Sequence, residues 1–158
     1  MIGVIVHMNI RKLNNYFKQA TVVAENSPDV QTKVGSLLIN KHTGAVIASG
    51  FNGFIRKAQD DKLPKTRPEK YDYIIHAEQN TIYNCARHGI NTSDCFLVVT
   101  LSPCINCMRA AYQAGIDTIY FHEEYHDFKN QLVMKDLKIN LTKIDIFTKI
   151  SLSPVESD

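Results

Sequence analysis

No stretch of this 158-residue chain is apolar for long enough to cross a bilayer. The longest apolar runs, such as Val34 to Ile39, itself interrupted by Gly35 and Ser36, fall far short of the ~20 residues that a spanning helix needs. Excess charge is missing too. Eighteen Lys and Arg face 16 Asp and Glu, a formal net charge of +2, so no bulk field draws the chain to nucleic acid. Cysteine is scarce: there are four, two of them in one C-x-x-C. That number and spacing argue against a disulfide framework and fit a reducing, cytoplasmic compartment. Repeats and low-complexity segments are absent. The apolar start, Met1 to His7, lacks a basic flank and runs into polar residues, so it does not read as a signal peptide.

What is present is the composition of a soluble globular protein, 44% apolar and 22% charged. A chain of this length buries roughly two thirds of its unfolded surface around one core. We therefore expect one domain over residues 1–150 and a frayed polar tail over 151–158. Leu13, Phe17, Ala20 and Val23 or Ala24 recur at three and four, predicting a helix from Asn9 to about Glu25 that stops at Asn26-Ser27-Pro28. Lys33 to Asn40 and Ala45 to Ser49 form a hairpin across Lys41-His42-Thr43-Gly44, and Gly50-Phe51-Asn52-Gly53 then breaks the sheet. Phe54 to Pro68 reads as a long exposed loop, a kind often functional. A helix from near His76 to Arg87 or His88 is closed by Gly89, with Ile82 and Cys85 on its buried stripe.

Cys95 to Leu101 is an apolar strand. Ser102-Pro103 then supplies a cap and a first-turn proline for a helix ending near Gly115. Strands at Thr118 to Phe121 and Ile139 to Phe147 flank a helix at Asp127 to Leu137. Strands separated by helices pair in parallel, so the expectation is an α/β protein: a mixed five-stranded sheet with helices on both faces, three layers in all.

Two motifs carry chemistry: His76-Ala77-Glu78 and Pro103-Cys104-Ile105-Asn106-Cys107. Together, H-x-E and P-C-x-x-C are the signature of zinc-dependent nucleobase deaminases. On a regular helix, positions i and i+2 lie about 200° apart, so His76 and Glu78 converge only at a helix tip. Cys104 and Cys107, at i and i+3, share one side of the first turn of their own helix. Two N-terminal tips, each with unpaired N–H groups and partial positive charge, then meet and favour thiolate. His76, Cys104 and Cys107 make three zinc ligands and leave one position open, the mark of a catalytic zinc, where bound water is acidified. Glu78 is the proton shuttle from that water to a substrate ring nitrogen and departing amine.

The blander reading is a structural zinc knuckle completed by Cys85, Cys95 or His88. The carboxylate of Glu78, Pro103 and the helix-tip placement favour the catalytic one. Cys85 and Cys95 read as structural, and nothing pairs His7, His42, His88 or His122 with the site. Six basic residues, Arg56, Lys57, Lys62, Lys65, Arg67 and Lys70, stand against Asp60, Asp61 and Glu69 in one loop. They make either a phosphate-facing patch or a solvated loop.

Over about residues 9 to 147 the chain resembles the deoxycytidylate (dCMP) deaminases of the cytidine deaminase superfamily. Beyond the zinc motifs the likeness rests on Val34-Gly35, Gly50-Phe51-Asn52-Gly53, Asp60-Asp61, His76 through Asn80, Gln113-Ala114-Gly115-Ile116 and Tyr125-His126-Asp127. It implies a cytidine-deaminase-like fold and hydrolytic deamination of dCMP to dUMP, a dTMP precursor. It also implies Asn52 hydrogen-bonding the base or deoxyribose, the Ala77 backbone reading the base, Tyr125 anchoring the nucleotide, and Lys33 or His126 meeting the phosphate. Such enzymes are homohexamers regulated by dCTP and by dTTP with Mg2+, which puts Gly50, Gly53 and Arg56 at a regulatory site. Some carry a second, structural zinc between the second strand and the H-x-E helix. Residues 54–75 here contain neither Cys nor His, so one zinc per subunit is expected. The competing readings are a tRNA adenosine or nucleic acid cytidine deaminase on the same scaffold, and a non-catalytic zinc-binding or nucleotide-sensing module. Membrane association is not expected.

Overall fold

The computed structural model describes residues 9–124 and 138–145. Strand β1 (Gly35–Asn40) turns back as β2 (Val46–Phe51), with Ser36 opposite Gly50 and a bulge between Leu38 and Ile39. On its other edge β1 pairs antiparallel with β5 (Cys95–Leu101). β5 runs parallel to β6 (Thr118–Glu123), and β6 to β7 (Asn140–Lys143). The order β2-β1-β5-β6-β7 makes the mixed five-stranded sheet that the alternation of strands and helices predicts.

Alternation along the central strands sorts side chains to two layers. Leu37, Ile39, Phe96 and Val98 pack with Leu13, Tyr16, Phe17 and Ala20 of α1 (Ile10–Ala24). Leu38, Cys95, Leu97 and Val99 face the other way, toward Ala77 and Cys85 of α2 (Ala77–His88) and Met108 and Ala111 of α3 (Ile105–Gln113). Each large side chain buried this way contributes about 1.5–3 kcal/mol. Two glycines let the layers close. A Cβ on Gly35 would lie 1.9 Å from the Ala20 carbonyl oxygen of α1, and one on Gly50 would lie 2.6 Å from the Thr81 nitrogen of α2.

The sheet is not broken at Gly50. β2 runs through Gly50, which lets α2 lie against the strand, to Phe51, and the five-stranded sheet ends there, one residue past the expected first break. β3 (Gly53–Phe54) follows at once and pairs antiparallel with β4 (Ile74–Ile75), so the long loop is clipped at its base. Short 3-10 turns at Asp60–Lys62 and Glu69–Asp72 lie within it. The expected helix at 127–137, the end of the last strand at 146–147 and the tail at 151–158 lie outside the described residues. Among the described residues no helix is long and apolar enough to cross a membrane.

Candidate active site

Two strands deliver two helix tips to one point. β4 ends at Ile75, and the next residue, His76, is the N-cap of α2 (φ −69°, ψ 155°). β5 ends at Leu101, and Cys104 is the N-cap of α3 (φ −74°, ψ 168°). Their carbonyls accept the first helical bonds, from Asn80 N at 2.9 Å and Met108 N at 3.0 Å. The cap of α3 is therefore Cys104 and not Ser102, whose backbone N–H is taken by the Glu123 carbonyl at 2.8 Å; this fixes Ser102 in the approach to the helix. Neither cap side chain is the oxygen acceptor that usually closes a helix start. Caps of the Ser or Asp kind would add about 0.5–2 kcal/mol each, so local helix stability is given up to present an imidazole and a thiol.

Those side chains meet each other. His76 Nδ1 lies 3.5 Å from Cys104 Sγ and 3.3 Å from Cys107 Sγ, and the three donor atoms all lie within 4.8 Å of one another. Zinc bonds of ~2.3 Å to sulfur and ~2.0–2.1 Å to nitrogen at a tetrahedral angle separate N and S by about 3.6 Å. The donor set and its spacing therefore fit zinc.

The charges are arranged to match. Hydrogen bonding from Cys107 draws the Cys104 thiol down to about 4 against the opposing effect of burial. The same bond, with burial, pushes Cys107 up. His76 is raised by its bond to Cys104, against burial. The trio thus favours one thiolate and one retained thiol proton, which a bound dication would displace. Glu78, in the first turn of α2, is only 4% exposed, and that burial raises its carboxyl above the usual range, as suits a group that must both accept and return a proton.

His76, Glu78 and Cys104 line a cavity of about 270 Å³, near the small end of ligand pockets. Ala77, Asn52, Asp29, Thr32, Arg67, Lys70 and Tyr71 complete most of its wall. Asn52 is buried there with its carboxamide engaged by the protein: Oδ1 accepts from Val34 N at 2.8 Å, and Nδ2 donates to Thr32 O at 2.8 Å and Asp29 Oδ2 at 3.3 Å. Lys33 is exposed, donates to the Glu25 carbonyl at 3.4 Å and is not part of the wall. Arg56 is exposed on the outside of α2, where Nη2 donates to Asn84 Oδ1 at 2.8 Å, and Gly50 is buried beneath that helix. Gly53 is buried in β3. Tyr125 and His126 lie outside the described residues. Cys85 and Cys95 are buried in the core, and His122 Nδ1 lies 3.1 Å from the Ile144 carbonyl.

Sequence reasoning passed over Asp29 altogether and left Arg67 and Lys70 among undifferentiated loop cations. In the fold, Lys70 is buried against Asp29 at 2.7 Å, and Arg67 joins the cavity wall. That burial removes Lys70 from any continuous basic patch. The signal was slight: Asp29 completes Ser27-Pro28-Asp29, which reads locally as a turn.

The sequence matches the family described as the cytidine and deoxycytidylate deaminase zinc-binding region over residues 10–123. The deoxycytidylate deaminases of Pongo abelii and Homo sapiens are each 33% identical over 115 residues, matching 68% of this chain; the chain spans 63% of the length of these curated relatives. Among solved structures, the dCMP deaminase of cyanophage S-TIM5, in complex with dCMP and dUMP, superposes with a TM-score of 0.72 at 26% identity, covering 87% of this chain and all of that one. The α/β architecture is thus cytidine-deaminase-like. With the family's match running from the start of α1 to the end of β6 and taking in both zinc-site motifs, this chain belongs to the cytidine and deoxycytidylate deaminase family.

Proposed function

We propose that this chain catalyses hydrolytic deamination of dCMP to dUMP, the precursor of dTMP. The observation that carries the reading is a single one. A buried carboxylate, Glu78, stands beside a His76–Cys104–Cys107 donor set in the wall of a small cavity whose exposed edge carries Arg67. His76, Cys104 and Cys107 would hold zinc, which when bound would supply an acidified water as the nucleophile at neutral pH. Glu78 takes one proton from the water that attacks the amidine carbon and gives it to the ring nitrogen, then takes the second proton from the new hydroxyl and gives it to the amino group, which leaves as ammonia while the carbonyl forms. Its raised affinity for protons supports both halves of this task.

In this reading the Ala77 backbone, at the same helix tip, meets the pyrimidine edge, and Asn52, in the same cavity wall, faces the sugar. Arg67 meets the phosphate, a planar guanidinium being suited to a bidentate grip on phosphate oxygens. Tyr125 and His126 are assigned to the nucleotide by resemblance; Lys33, which the resemblance also offers for the phosphate, stands outside the cavity wall and is left out of this assignment. The same resemblance extends the proposal to a cytoplasmic homohexamer with one zinc per subunit. Its regulation by dCTP, and by dTTP with Mg2+, involves Gly50, Gly53 and the exposed Arg56.

The test is ammonia release from dCMP, dCTP, deoxycytidine, CMP and a deaminable oligonucleotide, each with and without dCTP and dTTP. Preference for dCMP is expected. Preference for the oligonucleotide would replace this reading with nucleic acid deamination, and inactivity on every substrate would favour a non-catalytic module.

A further inference from the structure

Asp29 and Lys70 are 41 residues apart in sequence, yet their side chains, each 3% exposed, meet at 2.7 Å beside the cavity that both line. Asp29 is the hub of the contact. Its Oδ1 accepts the backbone N–H of Gln31 at 2.8 Å and of Thr32 at 3.2 Å, and its Oδ2 accepts Lys70 Nζ and, at 3.3 Å, Asn52 Nδ2. Asn52 in turn holds Val34 N and Thr32 O, and the Ser27 hydroxyl donates to the Asn52 carbonyl at 2.7 Å. An outer rung lies above this network: Arg67 donates through Nη2 to Thr32 Oγ1 at 3.1 Å and through its backbone N–H to Gln31 Oε1 at 3.3 Å. Lys70 sits on the 3-10 turn immediately before β4, the strand that delivers His76 and Glu78.

Stability alone does not call for this arrangement. A buried ion pair gains little over an apolar pair of similar volume, because two charges must be stripped of water. What the charges add is direction. Asp29 accepts four hydrogen bonds and the Asn52 carboxamide makes three, and these tie the segment at 27–34, Asn52 and Lys70 to one another in one relative position.

We propose that the Asp29–Lys70 pair is a positioning device for the deamination reaction, fixing the substrate-facing wall, with Asn52 and Arg67 on it, relative to His76 and Glu78 before a nucleotide arrives. The identity of that nucleotide rests on the dCMP reading above; the network does not.

The test compares wild type with Asp29→Asn, Lys70→Met and the double variant Asp29→Asn/Lys70→Met. Lys70→Met leaves a buried carboxylate without its cation and is expected to melt lowest, and the double variant is expected to recover most of that loss. The double variant should nevertheless keep its zinc and its kcat within about threefold while KM for dCMP rises about tenfold or more, the pattern of lost uniform binding. Amide hydrogen exchange at Thr32 and Val34, measured without nucleotide, should accelerate in it. A double variant with recovered melting temperature and wild-type KM, or with unchanged exchange at those amides, overturns the proposal. Should the double variant not fold, the nearly isosteric Asp29→Asn decides by the same split between KM and kcat. Failure of wild type to deaminate dCMP would defeat the dCMP reading, and the exchange measurement would still test the positioning network.

Discussion

Replacing Gly50 by alanine tests whether the zinc site depends on how closely α2 approaches β2. The added Cβ would lie 2.6 Å from Thr81 N, 2.7 Å from Thr81 Oγ1 and 2.8 Å from Ala77 O, where ordinary contact begins at 3.4 Å. Two of the three atoms are helix backbone, so relief requires α2 to withdraw by roughly 0.6–0.8 Å, since repulsion at these separations outweighs any dispersion gain. Overpacking of this kind costs about 1–3 kcal/mol, which for a domain of this size lowers Tm by roughly 2–12 °C. The more telling effect is on the metal. Ligand distances tolerate about ±0.2 Å, and α2 carries His76 at its tip, so the withdrawal should weaken zinc binding more than the fold. Gly35→Ala is the control. Its Cβ would meet the Ala20 carbonyl at 1.9 Å, but on α1, which holds no zinc ligand. Thermal melting and zinc retention against a chelator, measured on both variants, give the answer. Gly50→Ala should lose zinc at lower chelator concentration than Gly35→Ala even where Gly35→Ala melts lower. Equal zinc retention in the two, or a Gly50→Ala protein indistinguishable from wild type, would refute the coupling of this glycine to the site.

Glu78→Ala should lower kcat about 10²–10⁴-fold, the range for a general acid/base, while zinc stoichiometry by elemental analysis stays at the wild-type value; retained activity would remove Glu78 from the mechanism. Arg67→Ala should raise KM for dCMP about tenfold or more and raise KM for deoxycytidine by much less, as expected of a group whose main contact with substrate is the phosphate; equal effects on both substrates would count against that role. Acid stability follows from Asp29. Burial pushes its carboxyl up, but the Lys70 bond and the Gln31 and Thr32 N–H groups outweigh it, and the folded pKa falls below the ordinary value of 3.8. A depressed carboxyl stabilises the fold above its unfolded pKa of about 3.9, and that contribution is lost as pH falls through the folded value. Denaturant titrations of wild type and Asp29→Asn should therefore converge as the pH drops below about 4, and parallel curves across that range would show that the pair contributes no linkage.

Much of this was legible in short windows of sequence. The three-and-four spacing from Leu13 to Ala24 marks α1, the apolar run Cys95 to Leu101 marks β5 to the residue, and Gly89 closes α2 where expected. H-x-E and P-C-x-x-C single out His76, Cys104 and Cys107, whose donor atoms the fold brings within 4.8 Å of one another, and the angular argument that His76 and Glu78 can cooperate only at a helix tip agrees with His76 being the cap and Glu78 lying in the first turn. These features are local: a period, a spacing or a cap depends on neighbours within about one or two helical turns. Tertiary structure decided the rest. It set Cys104, and not Ser102, as the cap of α3; it made Gly50 a seat for α2 while the strand ran on; and it chose Lys70 among six loop cations to be buried against an aspartate far off in sequence. The environment of each of those residues is supplied by segments that come together only when the sheet forms, so nothing in the flanking sequence distinguishes a buried lysine or a crowded glycine from an ordinary one.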